Sequence, residues 1–350
     1  SHLKYISKSM RQIHQKKDIF LWLLSSCILL ILLIWVGGLT RLTGSGLSIT
    51  EWELFSGILP PFNQNKWNEY FDLYKQIPEY KKINYGMSLS EFKFIFWWEY
   101  IHRVLARFLV LFYIIPFVYF FLKNKIKKNE IYFFLLIFIF FLLQGFMGWY
   151  MVKSGLVSDT DVSHYRLAAH LSLAIIIYCM IFWSLLNYKK KIFLNYKIAT
   201  FLILFLIILI LVQIIWGAFT SGLNAGLLYQ TWPLMNEQFI ANDVNIKNII
   251  SIESLSNPSY VQLLHRLLAY FIILYTFSIY FFYFRRMNIT KPFKLIFFAI
   301  CIQVVLGIFT LISNLNIYLA SLHQIGSILL ISCTIYTLFY VNKQQNLIDS

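Results

Sequence analysis

The chain has 350 residues, of which 59% are hydrophobic and 13% charged, with 34 phenylalanines and 23 tyrosines. A soluble domain cannot hide that much apolar surface, so a water-soluble enzyme or carrier is excluded and a polytopic membrane protein is implied. The formal net charge of +15 falls mostly in short connections between apolar stretches, a distribution that argues against nucleic-acid binding and for a lipid bilayer with a basic inner side.

Residues 1–17 form a basic tail carrying Lys4, Lys8, Arg11, Lys16 and Lys17, with His2 and His14 expected to be solvated. The tail runs into a long span with no small-residue cleavage pattern, so an uncleaved anchor is expected. Eight apolar stretches are long enough to cross a hydrocarbon core of about 30 Å. They lie near 18–40, 94–122, 131–152, 164–187, 197–220, 259–284, 291–313 and 316–341. Basic residues recur at every second exit: Lys123, Lys125, Lys127 and Lys128; then Lys189, Lys190, Lys191 and Lys197; then Arg285, Arg286, Lys291 and Lys294. The positive-inside rule puts these connections and both termini inside, and the long loops 41–93 and 221–258 outside. Cys27, Cys179, Cys301 and Cys333 all fall within spans and none has CxxC spacing, so neither a disulfide framework nor a zinc site is expected.

The chain also reads as a duplicated four-helix unit. His102-Arg103-Val104-Leu105-Ala106 in the second span matches His265-Arg266-Leu267-Leu268-Ala269 in the sixth. Trp35-Val36-Gly37-Gly38 and Trp216-Gly217 close the first and fifth spans, and Trp52 and Trp232 follow in the outer loops. Gln144 to Gly148 and Gln303 to Gly307 mark the third and seventh spans, while His170 and His323 open the fourth and eighth. The expected fold is therefore all-α and integral to the membrane: eight transmembrane helices as two pseudo-symmetric four-helix bundles, residues 18–191 and 192–341, with a C-terminal tail at 342–350. Four spans per unit give both halves the same orientation, as in parallel repeats.

Four of the seven histidines fall at repeat-equivalent places: His102 with His265, and His170 with His323. Ionisable groups inside a span are costly and usually functional. Imidazole suits iron, copper and zinc, but no carboxylate or thiolate cluster accompanies these four. Pairs of histidines on facing helices in an aromatic-rich bundle suit the two axial faces of a heme, one macrocycle per half. His164 precedes His170 by six residues, points elsewhere on the helix, and is expected to hydrogen-bond at the helix entrance. Glu99 shares the helix face of His102, whereas the counterpart before His265 is the neutral Gln262. An acid/base role is expected for Glu99, which makes the N-terminal half the reactive one; structural pairing with Arg103 or Arg41 is the alternative. Arg41, Arg103, Arg166 and Arg266 lie at the outer boundary, where paired guanidinium hydrogen bonds suit heme propionates and plain interfacial anchoring is the alternative.

The ordered set Gly37-Gly38-Leu39-Thr40-Arg41-Leu42-Thr43, Ser45-Gly46-Leu47-Ser48, Pro60-Pro61, Glu91-Phe92-Lys93-Phe94-Ile95, Glu99-Tyr100-Ile101-His102-Arg103 and Tyr165-Arg166-Leu167-Ala168-Ala169-His170 closely resembles heme A synthase, in its branch with a long first outer loop. The resemblance covers about residues 20 to 340. It implies an eight-helix enzyme that oxidises the C8 methyl of heme O to a formyl group by successive hydroxylations, giving heme A for terminal oxidases. It further implies substrate heme O between His102 and His170 with Glu99 as catalytic carboxylate, and heme b between His265 and His323. Heme O synthase, an electron donor such as ferredoxin and a possible homo-oligomer are the implied partners; the location is a bacterial plasma membrane, or alternatively a mitochondrial inner membrane. The chain departs from some relatives in lacking an outer-loop cysteine pair and in having Gly44 and His164 where an acid and a glutamine are common. Competing readings are a diheme b-type electron-transfer cytochrome, against which the single ligand per helix argues, and a transporter, which would put charged or broken helices at mid-membrane.

Overall fold

The structure, a computed structural model, describes residues 2–51, 56–157, 159–188, 197–249, 251–287 and 290–342, with side chains from Lys16 to Val341 within those segments, Ser56 apart. Trp52, Lys189 to Lys191, and the side chains of residues 2–15, His2 and His14 included, lie outside the described residues, as does almost all of the C-terminal tail. Eight described helices are long and apolar enough to span a bilayer. They are α1 (His2–Leu42), α4 (Leu89–Leu122), α5 (Lys128–Val157), α6 (His164–Asn187), α7 (Lys197–Gly222), α8 (Pro258–Phe282), α9 (Thr290–Ile312) and α10 (Ile317–Asn342). Two shorter helices, α2 (Gln64–Tyr74) and α3 (Pro78–Lys82), lie in the first outer loop. A long apolar run has no water to satisfy its peptide groups in lipid, so it closes them internally as helix.

The chain's polar punctuation sets the helix starts. Asn63 accepts from the Lys66 amide to cap α2, and Ser88 and Glu91 form a reciprocal capping box at α4. Asn257 caps α8 ahead of Pro258 at its first position.

The packing follows the duplication. α1 packs on α4, α6 and α10, while its repeat equivalent α7 packs on α8, α10 and α6; the pairs α5–α6 and α9–α10 correspond in the same way. α1, α6, α7 and α10 therefore form the centre. The spanning windows of α1, α6 and α10 are 44%, 44% and 56% buried, against 17–22% for α4, α5, α8 and α9, which show Leu, Ile and Phe side chains to lipid. The buried core along the spans includes Leu23, Tyr113, Phe134, Ile137, Ile181, Ile203, Leu206, Phe293 and Ile331.

Each outer loop folds as a cap with its own small core. Trp67, Phe71 and Tyr74 of α2 bury against Phe92, Ile95 and Phe96 of α4 together with Leu47, Ile49 and Val162. Over the C-terminal half, Met235, Ala241 and Val244 bury against Tyr260 and Leu263 of α8.

Candidate functional site

The four repeat-related histidines are half-buried near the outer ends of α4, α6, α8 and α10. They form two pairs: His170 lies within electrostatic reach of His102, and His265 of His323. Each ring lies against a glycine of a neighbouring helix. A Cβ on Gly37 would come within 2.8 Å of His102 Cε1, on Gly307 within 3.0 Å of His323 Cε1, on Gly148 within 3.1 Å of His170 Cε1 and on Gly217 within 3.4 Å of His265 Cε1. At Gly37, Gly307 and Gly148 a side chain would crowd the imidazole, whereas at Gly217 the distance is that of ordinary contact.

The amide of Gln144 donates to the His170 carbonyl oxygen at 3.0 Å and lies 3.2 Å from the ring Nδ1. Gln213 repeats the arrangement, donating to the His265 carbonyl at 3.0 Å with its amide 3.4 Å from the ring Nε2. The His323 ring faces the backbone carbonyl of Gln303, and the His102 ring that of Leu33.

Nδ1 of His102, of His265 and of His323 is buried with no partner from the chain. A buried polar atom left unpaired costs about 1–3 kcal/mol, so these rings are arranged for a ligand the polypeptide does not supply. Among the described residues no three or more His, Cys, Asp or Glu side chains cluster as a metal site. The donors come in twos, which suits the two axial positions of a heme iron and not a tetrahedral zinc centre.

Glu99, 3% exposed, faces the first outer loop. Its Oε2 accepts from Ser48 Oγ at 2.7 Å and from the Ile49 amide at 2.8 Å. Its Oε1 accepts from Arg103 Nε at 3.0 Å and Nη2 at 2.6 Å. Arg103 also donates to the carbonyls of Ile49 and Glu51, so the pairing on Glu99 is with Arg103 and not with Arg41. The C-terminal half repeats this motif without the charge: Gln262 and Arg266 both donate to the Tyr229 carbonyl, at 3.0 Å each, and Arg266 also reaches Leu234.

Arg41 bridges the halves, with donors to Asp161, the Ser221 and Gly222 carbonyls and Asn224 Oδ1. Arg166 donates to the Tyr150 carbonyl and stacks over the Tyr150 ring with its carbon 3.8 Å from the centroid. His164 sits at the entrance of α6, its Nε2 3.1 Å from the Leu255 carbonyl, as its position predicts. The facing glycines as a set, and Gln213, are site residues that the sequence reading passed over. The recurrent spacing of Gln144 to Gly148, Gln213 to Gly217 and Gln303 to Gly307 was the signal for them.

The fold and the site together define a polytopic membrane protein with two pairs of half-buried imidazoles near one end of its helices. Residues 20–335 match the family described as cytochrome oxidase assembly protein. The chain is 51% identical over 336 residues to the heme A synthase of Pelagibacter ubique, covering 93% of this chain and 97% of that protein. It is 42% identical over 334 residues to the heme A synthase of Rickettsia felis, covering 93% and 99%, and 41% identical over 336 residues to that of Rickettsia akari, covering 94% and 99%. The chain belongs to the heme A synthase family.

Proposed function

We propose that this chain converts heme O to heme A, oxidising the C8 methyl of the porphyrin to a formyl group by successive hydroxylations for use in terminal oxidases. The substrate heme O sits between His102 and His170, and a resident heme b between His265 and His323. The observation that carries this division is the single charged difference between two otherwise matching sites: Glu99 on one side, Gln262 on the other. Heme b supplies one-electron redox chemistry when bound.

The remaining work falls to the chain. Glu99 is the proton-handling group of the reactive half. Both its oxygens are occupied by donors, so a proton reaches it only as one donor moves. Ser48 Oγ both donates and accepts, which makes it the donor able to pass a proton toward the outer loop. Arg41, Arg103, Arg166 and Arg266 form the propionate-recognition set. Nε of Arg266 and Nε of Arg41 are both buried with no partner from the chain; Arg266 is the stronger candidate because Arg41 and Arg103 hold carboxylates of the protein itself. The membrane is a bacterial plasma membrane, where a heme O synthase supplies the substrate and a donor such as ferredoxin the electrons.

The test is to express the chain with a source of heme O and an electron supply, then separate the extracted hemes by chromatography and identify them by mass spectrometry. Heme A or its hydroxylated precursor, formed only with the intact chain, is the expected result. Heme b with heme O unchanged would support an electron-transfer cytochrome instead.

A further inference from the structure

Heme O differs from heme b in carrying a long isoprenoid chain on the ring. A macrocycle held between imidazoles of two packed helices has no room beside it for that chain, which has to leave the bundle. Hydrocarbon is as much at home in lipid as among apolar side chains, so such a site requires an exit to the bilayer more than a pocket. The two halves differ at a place where an exit would lie. Phe134, Phe138, Phe141 and Gly145 follow one stripe of α5 at helical spacing, and Phe293, Phe297, Ile300 and Val304 follow the equivalent stripe of α9, in the register set by Gln144 to Gly148 and Gln303 to Gly307. The inner part of each stripe closes on the preceding helix. Tyr113 of α4 donates to the Phe134 carbonyl at 3.1 Å, and its ring centroid lies 5.1 Å from that of Phe141. Tyr280 of α8 stacks on Phe293 at 5.6 Å and meets Phe297 edge-on at 5.2 Å.

One turn further out the halves part. Val304 packs against the buried core, whereas a Cβ on Gly145 would meet nothing within 4 Å. Every other glycine of the described spanning helices has a neighbour inside that distance. Gly145 has no positive φ either, so neither close approach nor a left-handed backbone accounts for a residue that weakens a helix. The gap reaches both the site and the lipid. Gln144 beside it holds the His170 carbonyl and Gly148 faces the His170 ring, while Leu142 and Phe146 stand exposed on the outer surface of α5. We propose that the gap at Gly145, between α4 and α5, is the exit by which the isoprenoid chain of heme O leaves the N-terminal site for the bilayer, and that Val304 closes the same exit in the C-terminal half. One residue thereby sorts the two hemes: the chain-bearing substrate is admitted at one site, and only a heme without the chain is admitted at the other. This inference rests on the heme O reading above.

The experiment purifies the full-length chain from cells that make both heme b and heme O and counts the extracted hemes per chain. Heme O, its hydroxylated form and heme A are summed, so the count does not depend on turnover. Gly145→Val is expected to lower this sum about tenfold, the scale of forcing extra methyl groups into an occupied space, while the heme b of the C-terminal site stays bound. A wild-type sum in Gly145→Val would overturn the inference. Should that variant fail to assemble, the reverse change decides. In a chain whose N-terminal site is disabled by His102→Ala, Val304→Gly is expected to admit heme O at the remaining site, and heme b alone in that chain overturns the inference equally. A wild-type chain that yields heme b but neither heme O nor any product of it would instead defeat the reading of the function on which the inference rests.

Discussion

Glu99 illustrates how two roles that look exclusive in a sequence coincide in a structure. Its bond to Arg103 is an intrahelical pair four residues apart, and the Ser48 and Ile49 donors come from a loop fifty positions away. The pairing holds the carboxylate one turn from His102 and does not remove it from the chemistry. Glu99→Gln retains an amide oxygen for Ser48 while losing the charge, so heme content should stay within a factor of about two while conversion falls by two orders of magnitude or more, the span general acid–base groups supply. Unchanged conversion by chromatography of the extracted hemes would remove Glu99 from the mechanism. The glycines make a graded test. An alanine Cβ at Gly37 would overlap the His102 ring at 2.8 Å, whereas at Gly217 it meets His265 at 3.4 Å, close to ordinary contact. Gly37→Ala should therefore displace its imidazole and lose the heme of that site, while Gly217→Ala retains its own, as read by pyridine hemochrome per chain; equal losses would mean that ring clearance is not what these glycines provide. The histidines themselves were legible because the repeat doubles each of them. Their glycine partners, and Gln213, left only the recurrent four-residue spacing from glutamine to glycine, which gains its meaning once the helices are side by side.

At the scale of elements, hydropathy located the eight spans to within a few residues, since bilayer thickness fixes how long an apolar run must be. It did not locate α2 and α3, which lie outside lipid and whose amphipathic pattern is short. The signs were present in Trp67, Phe71 and Tyr74, spaced on one helical face behind the Asn63 cap. These helices close the first loop into a cap that buries an acid. Glu79 is 6% exposed, accepts from Tyr74 Oη at 3.1 Å, and Asn84 in turn donates to Tyr74. Burial pushes the Glu79 carboxyl up to about 7, with Asp161 and Glu99 adding to the rise and the Tyr74 hydrogen bond and Arg41 opposing it. In the folded cap the proton is thus held at pH values where the unfolded loop, with its carboxyl near 4.5, has lost it. The folded state binds more protons between those values, so stability is complete at low pH, falls as pH rises from about 4.5 to about 7, and stays lower above. The upper limit of the effect is about 3 kcal/mol. Limited proteolysis of the loop should accordingly be slower at pH 5 than at pH 8, and Glu79→Gln should flatten the dependence. A wild-type loop cut equally fast at both values would show that Glu79 is not buried in solution.

At the scale of the whole molecule, the two halves meet through α1, α6, α7 and α10, and polar bonds cross that seam at several levels. Trp35 Nε1 donates to Ser321 Oγ, Gln324 Nε2 donates to the Ile34 carbonyl at 3.1 Å, and Tyr178 Oη pairs with Ser332 Oγ at 2.7 Å. At the outer end Arg41 fastens α1 to the end of α7. Its partner Asp161 is 42% exposed, so that ion pair contributes little, and the carbonyls of Ser221 and Gly222 carry most of the tie. Arg41→Ala should lower stability by about 1–3 kcal/mol, seen as a lower unfolding temperature in detergent, whereas Asp161→Asn should change it hardly at all. The same framework makes orientation testable. Eight crossings bring both termini to one side, and at that side Lys125 of the α4–α5 connection pairs with Asp18 at the entry of α1 at 3.2 Å. The positive-inside rule predicts that this side is the inner one, with the α2–α3 cap, the four histidines and Glu99 near the opposite surface. In a chain lacking Cys27, Cys179, Cys301 and Cys333, a single cysteine at the exposed position Asn65 should react with a membrane-impermeant maleimide in intact cells, and one at Lys123 only after permeabilisation. The reverse pattern would turn the protein over and put heme exchange and the loop cap on the cytoplasmic side, so that substrate delivery and electron supply would both have to come from within the cell.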